Sequence, residues 1–484
     1  MAMFQWTGSA NTGDFSAAGN WQPAAGAPPG SSDMAKIEGA AVPITGMGNP
    51  EILYTTDTVE LEGHFTEAIG CPVNAQQLTL LPGAVLTTPM LHFVVQIDIN
   101  PPMTGNMTVN AGSAVVIAGS HAPNNYAIAM SELGGSTASL VVDGAGAVVN
   151  GGNLPMSVGQ AGSSSLTISN GGVVSVGNAD PLIYPWCLVI GNHAGSSGTV
   201  QVQHASLLGH GQIIVGRNSK GSLNVDEGGL VVAENLTIGW EPENQQVSPP
   251  TEGIGTVRVK GRNARLIVDV QVEVQHMGSG SLTVEDHGFV SAGVGIIVNG
   301  ALSLANGVIN TLALSVNTGG TLSGSGTVIA AQGIDNNGGV ITADGKLILI
   351  GDIDNAATSQ GNSMTVAANG ELQCFGALTD DGTVSLEAHS VASLEAVAAE
   401  QIISFDGLRA SLVLRSPGGF LGSIRGFAPT HKIVLEADVT SVAFAGGVLT
   451  ATGPGGIVAQ LKMKGTYDPP PFQFAPGFPG VITV

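Results

Sequence analysis

The sequence predicts an all-β fold: a right-handed parallel β-helix, or β-solenoid, with an N-terminal cap and a C-terminal β module. Composition is the first indication, since 71 of the 484 residues are Gly and only 4% are aromatic. Short runs of Val, Ile, Leu and Ala between Gly, Asn and Ser are typical of many short strands joined by tight turns. The second indication is a hydrophobic fraction of 43%, which predicts a packed core instead of disorder.

The third indication is an internal repeat in the central third of the chain. Seven copies share one pattern: a small polar residue, an apolar residue, any residue, an apolar residue, two polar residues and a Gly-rich turn. Their first apolar positions are Met107, Leu140, Leu166, Val200, Leu223, Val257 and Leu282. Long and short intervals alternate, and any two consecutive intervals together span 57 to 60 residues. The repeating unit is therefore predicted to be a pair of coils.

Each repeat alternates apolar and polar residues, which is typical of a strand with one buried face. Leu140, Leu166, Val200 and Leu223 are accordingly expected to stack inside successive coils. The extra residues of the long intervals, 120–133, 178–186 and 241–252, are expected to form loops on one side of the stack. An apolar residue followed by Gly marks a second turn, at Val158-Gly159, Ile190-Gly191, Val215-Gly216, Ile238-Gly239 and Met277-Gly278.

These patterns divide the chain into four predicted segments. Residues 1–100 form an N-terminal β cap and the first coils, and residues 101–330 form the regular solenoid. Residues 331–395 form degenerate coils, and residues 396–484 form a C-terminal β module.

Charge excludes some classes of partner. There are 36 acidic and 14 basic residues, a formal net charge of −22, and Lys36 is the only basic residue among the first 216, against twelve acidic ones. Such a surface repels nucleic acid. The sequence contains no apolar run of 18 residues, so no membrane insertion is predicted. The first residues lack the features of a classical signal peptide. The three Cys residues form no CxxC pair and are expected to be buried small hydrophobes.

The acidic pairs and histidines of the sequence do not have the spacing of a catalytic site. The acidic pairs Asp226-Glu227, Glu285-Asp286 and Asp380-Asp381 are expected to be solvated turn residues. The first two pairs lie two coils apart, about 9.6 Å, which is farther than the roughly 5 to 9.5 Å between the two carboxylates of a glycosidase. Five scattered His residues have no metal-ligand spacing. The segment 352–355 partly resembles a calcium loop but lacks its downstream Gly and Glu. We therefore expect no enzyme activity and no cofactor. Calcium is the one candidate ligand that the sequence leaves open.

Two groups of surface residues are candidates for contacts. Aromatic residues in the inserted loops form a candidate strip for carbohydrate or another partner, the alternative being that they cover the core: Tyr126, Tyr184, Trp186 and Trp240. The basic residues from Arg258 to Arg265 follow an acidic coil. Alignment of the repeats predicts an ion ladder of Asp226, Lys260 and Glu285 in three successive coils.

Both ends of the chain resemble a protein family. The N-terminal segments Trp6-Thr-Gly, Gly19-Asn-Trp21 and Asp33-Met-Ala-Lys-Ile37 resemble the opening of autotransporter-like and adhesin-like bacterial surface proteins. The Val-Gly and Ser-Leu-Thr-Val repeats look like the passenger solenoids of those proteins, and the segment from Ile433 to Val484 resembles the end module of large secreted adhesins. The resemblance implies export, a β-helix and surface attachment or matrix building, with no catalytic residues.

The predicted function is that of an extracellular structural or adhesive protein that forms homo-oligomers, filaments or a surface or biofilm matrix and contacts surface polysaccharide. Two alternatives remain open at this point. The same scaffold carries polysaccharide lyases and hydrolases, which need carboxylates clustered in a groove. It also carries phage tailspike-like receptor binders, which form side-by-side trimers.

Overall fold

The computed structural model describes residues 3–10, 13–22, 28, 34–38, 44–48, 52–56, 58–66, 71–73, 77–88, 90–93, 104–118, 126, 128–177, 186–240, 253–357, 363–467 and 472–483. In these residues the regular elements are β-strands and two short 3-10 helices, Ala18–Asn20 and Pro417–Gly419. The chain forms two compact units. Unit 1 comprises Met1–Asp269 and Gln275–Ser281, and unit 2 comprises Val270–Val274 and Leu282–Val484.

Unit 1 opens with ten short strands. They are β1 Met3–Trp6, β2 Trp21–Gln22, β3 Met34–Glu38, β4 Ile44–Gly48, β5 Ile52–Thr56, β6 Thr58–Thr66, β7 Cys71–Val73, β8 Gln77–Leu80, β9 Val85–Thr88 and β10 Leu91–Phe93. Its regular coils contain β11 Thr104–Val109, β12 Ala114–Ile117, β13 Ile128–Met130, β14 Thr137–Asp143, β15 Val148–Asn150, β16 Met156–Val158, β17 Ser163–Ser169, β18 Val173–Val176, β19 Trp186–Ile190, β20 Ser197–Gln203, β21 Ser206–Gly209, β22 Gln212–Val215, β23 Lys220–Val225, β24 Leu230–Trp240 and β25 Ile254–Lys260.

Two strands, β26 Arg265–His276 and β27 Ser279–Glu285, contribute residues to both units. Unit 2 continues with β28 Phe289–Val298, β29 Ala301–Asn317, β30 Thr321–Asn337, β31 Val340–Ile350, β32 Ile353–Asn355, β33 Met364–Val366, β34 Glu371–Phe375, β35 Ala377–Thr379, β36 Thr383–Leu386, β37 Val391–Leu394, β38 Ala396–Val397, β39 Ile402–Phe405, β40 Ser411–Leu414, β41 Ser423–Arg425, β42 Lys432–Leu435, β43 Ser441–Ala445, β44 Val448–Gly453, β45 Gly456–Lys464, β46 Gln473–Ala475 and β47 Gly480–Thr483.

The regular coils of unit 1 have three faces. The first face is the parallel series β14, β17, β20, β23 and β25, the second is β15, β18, β21 and β24, and the third is β16, β19, β22 and β24. Each strand pairs with the equivalent strand one coil later. The predicted all-β parallel solenoid is therefore confirmed.

The interior of unit 1 is a ladder of equivalent apolar side chains. Leu140 pairs with Leu166, Leu166 with Val200, and Val200 with Leu223, and all four side chains have 0% exposure. The prediction that these residues stack inside successive coils is confirmed. Because the side-chain period of a strand is two, their neighbours along the chain face outward, which fixes the register of every coil.

An aromatic cluster covers the first coils of unit 1. Trp21 packs edge-on against Trp6 and Phe15, with ring centroids 5.1 and 4.8 Å apart, and its indole Nε1 donates to the carbonyl of Phe15 at 2.8 Å. Asn20 is fully buried, and its side chain accepts from Ala10 N at 2.9 Å. The Asn-Trp pair that suggested a surface-protein N-terminus thus has a structural role in the cap.

Unit 2 continues the parallel coils beyond the predicted boundaries at 330 and 395. Parallel pairing runs through β31, β34, β37, β40 and β42. The strands β43, β44 and β45 then pair antiparallel with one another, while β45 also pairs parallel with β41. The last strand, β47, pairs antiparallel with β42 and covers that edge of the final coil. The segment 396–484 therefore contains both parallel coils and an antiparallel end.

Two cysteines have described side chains, Cys187 and Cys374, and both are free and buried. Burial raises the pKa of each thiol to about 12, as expected for cysteines that serve as packing residues. Among the described residues, no helix is long and apolar enough to cross a membrane.

We predict that Leu223→Asp destabilises the coil stack by about 4 kcal/mol or more, since it removes a buried side chain and places an unpaired carboxylate in the interior. Asn224→Asp is the matched control, because it adds the same charge at the adjacent outward position, which is half-buried. Thermal and urea unfolding would measure both. Equal stability of the two variants would show that the ladder position is not interior.

Candidate functional site

The third face of unit 1 turns at a residue with positive φ in each coil. Gly159, Gly191, Gly216 and Gly239 have φ between 71 and 78°, a region in which L side chains are strained. A Cβ on any of them would also collide with the backbone of the next coil. The sequence marker of an apolar residue followed by Gly is therefore a steric requirement of close coil packing.

The residues that follow these glycines form a buried to half-buried column, which we call the post-glycine column: Gln160, Asn192, Arg217 and Trp240. Backbone hydrogen bonds align it. Asn192 N donates to Gly159 O at 2.9 Å, and Arg217 N donates to Gly191 O at 2.9 Å. Parallel strands lie about 4.8 Å apart, so adjacent members of the column are within side-chain contact.

Two tryptophans flank the arginine of this column. The guanidinium carbon of Arg217 lies 4.5 Å from the ring centre of Trp186 and 4.9 Å from that of Trp240, and the two indole centres are 6.2 Å apart. All three side chains are half-buried. A cation held over aromatic faces in this way is attracted by the ring quadrupoles, at about 0.5–2 kcal/mol per contact.

Asn192 links the column to Tyr126, a residue of the predicted insertion 120–133. Its Nδ2 donates to Tyr126 Oη at 3.1 Å and to Gln160 Oε1 at 2.8 Å, and its Oδ1 accepts from Arg217 Nη1 at 3.0 Å. Asn192 is 1% exposed. These bonds satisfy a buried amide and fix the orientation of the side chains around it.

Burial and the positive charge of Arg217 shift the pKa values of two groups here. Burial raises the pKa of the Tyr126 phenol, and the positive charge of Arg217 and hydrogen bonds from Asn192 oppose that rise. Partial desolvation and the same positive charge lower the pKa of His193, whose Nε2 lies 3.2 Å from Gln160 Nε2. Both effects favour the neutral form of the His193 imidazole.

We refer to these residues together as the Arg217 cluster: Tyr126, Gln160, Trp186, Asn192, Arg217 and Trp240. Three of the four aromatic residues predicted as a contact strip lie in it, and the fourth, Tyr184, lies outside the described residues. Trp186 begins β19 and Trp240 ends β24, so both belong to strands and not to loops. Whether the strip binds a ligand stays a prediction.

Sequence reasoning missed Arg217, Asn192 and Gln160. The signal was present in the apolar-Gly marker, because the residue after each Gly occupies the same place in successive coils. All three are polar residues in that one column. Comparison of the positions after the marker, instead of the marker alone, identifies the column.

One residue of the predicted ion ladder, Asp226, has a described ion pair. Val225 pairs with Val259, so the next residues of the two coils, Asp226 and Lys260, are adjacent in the register. The ion pair of Asp226 at 2.9 Å is made with Arg258 Nη2. The ladder from Asp226 through Lys260 to Glu285 stays a prediction.

The candidate calcium segment does not converge on an ion. Ile353 and Asn355 point into unit 2, where the Asn355 amide donates to Gln401 Oε1 at 3.1 Å, while Asp354 points outward. Asp352 Oδ1 accepts from Ala377 N at 2.8 Å. Within the part of the chain that the structure describes, no group of three His, Cys, Asp or Glu side chains forms a metal site.

No protein-family model matches this chain, and no curated protein is significantly similar to it in sequence. The resemblance to autotransporter-like and adhesin-like surface proteins therefore stays a prediction. Function is therefore inferred from the solenoid and from the Arg217 cluster.

We predict that Gly191→Ala lowers stability more than Gly195→Ala. Both glycines have positive φ, at 73 and 79°, so alanine strains the backbone by about 1–2 kcal/mol at either position. Only at position 191 does the added Cβ meet the Lys220 backbone, whereas at position 195 it meets open space. Thermal unfolding would compare them, and equal melting temperatures would contradict the close packing of this turn.

We predict that Asp354→Asn stabilises the protein at pH 7 but not at pH 3. Desolvation and the neighbouring charges of Asp380 and Asp335 raise the pKa of Asp354. The stability linked to this group is therefore present at low pH, where it is protonated, and is lost as the pH rises through its pKa in the folded state. Since Asp354 is exposed, the gain should be below about 1 kcal/mol.

Thermal unfolding at pH 7 and at pH 3 would measure the effect of Asp354→Asn, with Glu395→Gln as the control. Glu395 is an exposed acidic residue, and that variant removes the same charge. A gain from Asp354→Asn that does not change with pH, or one matched by Glu395→Gln, would rule out specific repulsion of Asp354 by Asp335 and Asp380.

Proposed function

We propose that this chain is a secreted or cell-surface structural and adhesive protein, whose solenoid presents the Arg217 cluster to a polysaccharide that it holds without cleaving. The observation that carries the proposal is the placement of two half-buried indoles against one guanidinium on neighbouring coils. Indole rings supply a large apolar face and arginine supplies hydrogen-bond donors, a combination that suits sugar rings.

The scaffold supports this role through rigidity. Trp186 begins a strand and Trp240 ends one, and the amide of Asn192 holds the side chain of Arg217 from the coil below. A site on strands keeps its geometry without a ligand, so binding costs little conformational entropy. Assembly into oligomers or filaments is a further part of the proposed structural role.

We predict that the purified chain binds polysaccharide and that Trp240→Ala or Trp186→Ala weakens binding about tenfold, as expected when an aromatic contact worth roughly 1–1.5 kcal/mol is lost. Sedimentation with insoluble polysaccharides and calorimetry with soluble oligosaccharides would measure it. Phe478→Ala is the control, because Phe478 is an aromatic residue of unit 2 that is 71% exposed.

The same experiment distinguishes the alternatives. New reducing ends or unsaturated products would support the lyase or hydrolase function, and uniform side-by-side trimers in solution would support a tailspike-like receptor binder. Absence of binding across a broad polysaccharide panel, or binding unaffected by both tryptophan variants, would refute the proposal for the Arg217 cluster.

A further inference from the structure

The distribution of basic residues singles out the turn that contains Arg217. The first 257 residues contain three basic residues, Lys36, Arg217 and Lys220, against eighteen acidic ones. Two of the three lie within four residues of each other, in the turn that leads from β22 into β23. A chain that excludes positive charge from this region places two positive charges next to its paired tryptophans.

The geometry of Arg217 suits recognition of a carboxylate. Its guanidinium packs against both Trp186 and Trp240 and is fixed by Asn192 at 3.0 Å. A guanidinium is a planar fork of donors that matches the two oxygens of a carboxylate, and it stays protonated at all relevant pH values. A fixed guanidinium loses less side-chain entropy when it binds than a flexible one.

Lys220 adds a second positive charge three residues after Arg217 in the chain. It is exposed at the start of β23, next to Ser197 of the preceding coil in the parallel register. Its outward positions in the preceding coils are occupied by Ser197, Ser163 and Thr137, which are uncharged. Lys220 therefore places a charge beside the Arg217 cluster in a row that is otherwise neutral over three coils.

We propose that the Arg217 cluster selects saccharides that carry a carboxylate, such as uronic acid residues. This inference rests on the proposed function and adds the class of sugar to it. The indoles contact the sugar ring, while Arg217 and Lys220 bind the carboxylate. The formal charge of −22 opposes a long acidic polymer, but at about 0.15 M salt the screening length is about 8 Å. Nearby cations then outweigh distant acidic residues for a short ligand.

The test compares tetragalacturonate with its fully methyl-esterified form in calorimetry at 0.15 M salt. Esterification removes the negative charges and keeps the sugar rings. We expect the free acid to bind at least about tenfold more tightly than the ester. Arg217→Gln and Lys220→Gln should each reduce the ratio of the affinity for the acid to the affinity for the ester. Lys432→Gln, an exposed lysine of unit 2, is the control with the same change in charge.

The outcomes separate the two proposals. Equal binding of acid and ester, or a preference for the ester, would overturn the carboxylate inference and leave polysaccharide binding intact. No binding of either form, together with no binding of other polysaccharides, would overturn both. Should Arg217→Gln fail to fold, the wild-type comparison and Lys220→Gln still decide, because Lys220 is exposed at the surface of its strand.

Discussion

The constraint on which the structure depends is the parallel, in-register stacking of coils. When Leu166 sits on Leu140 and below Val200, every outward side chain of those coils is also aligned with its equivalents. Apolar burial supplies the driving force, at about 25 cal/mol per Å², and the backbone ladder fixes the spacing. The surface columns are consequences of the interior column. A functional group is therefore built by repeating a position along the stack, with one residue contributed by each coil.

The Arg217 cluster illustrates this principle. Gly191 and Gly216 permit the close turn, and the residues after them, Asn192 and Arg217, are brought into hydrogen-bonding distance although they are 25 residues apart in the chain. Tyr126, which precedes β13, and Trp186, the first residue of β19, contribute side chains to the same place. Insertions are tolerated at such turns because they leave the stacked strands unchanged.

The sequence predicted the interior of the solenoid well and the surface site only in part. The spacing from Leu140 to Leu223 determines which residues face inward, since a strand alternates strictly and the repeat length is nearly constant. The grouping of Trp186 with Trp240 depends on how two coils of unequal length superimpose, and no local pattern contains that information. Arg217 was not identified for the same reason. The contact between Arg258 and Asp226 is a second case, because the alignment of the repeats does not show how far a long side chain reaches along the register.

If a pair of coils is a structural module whose length fixes the register, an internal deletion of one such pair should be tolerated. Deletion of residues 166–222 removes one 57-residue unit and joins Ser165 to Leu223, so the inward column continues. Deletion of residues 166–223 removes one residue more and turns the following strand over. We expect a cooperative thermal transition for the first protein, and loss of that transition or a much lower melting temperature for the second. Equal stability of the two proteins would show that the length of the coil pair does not fix the register.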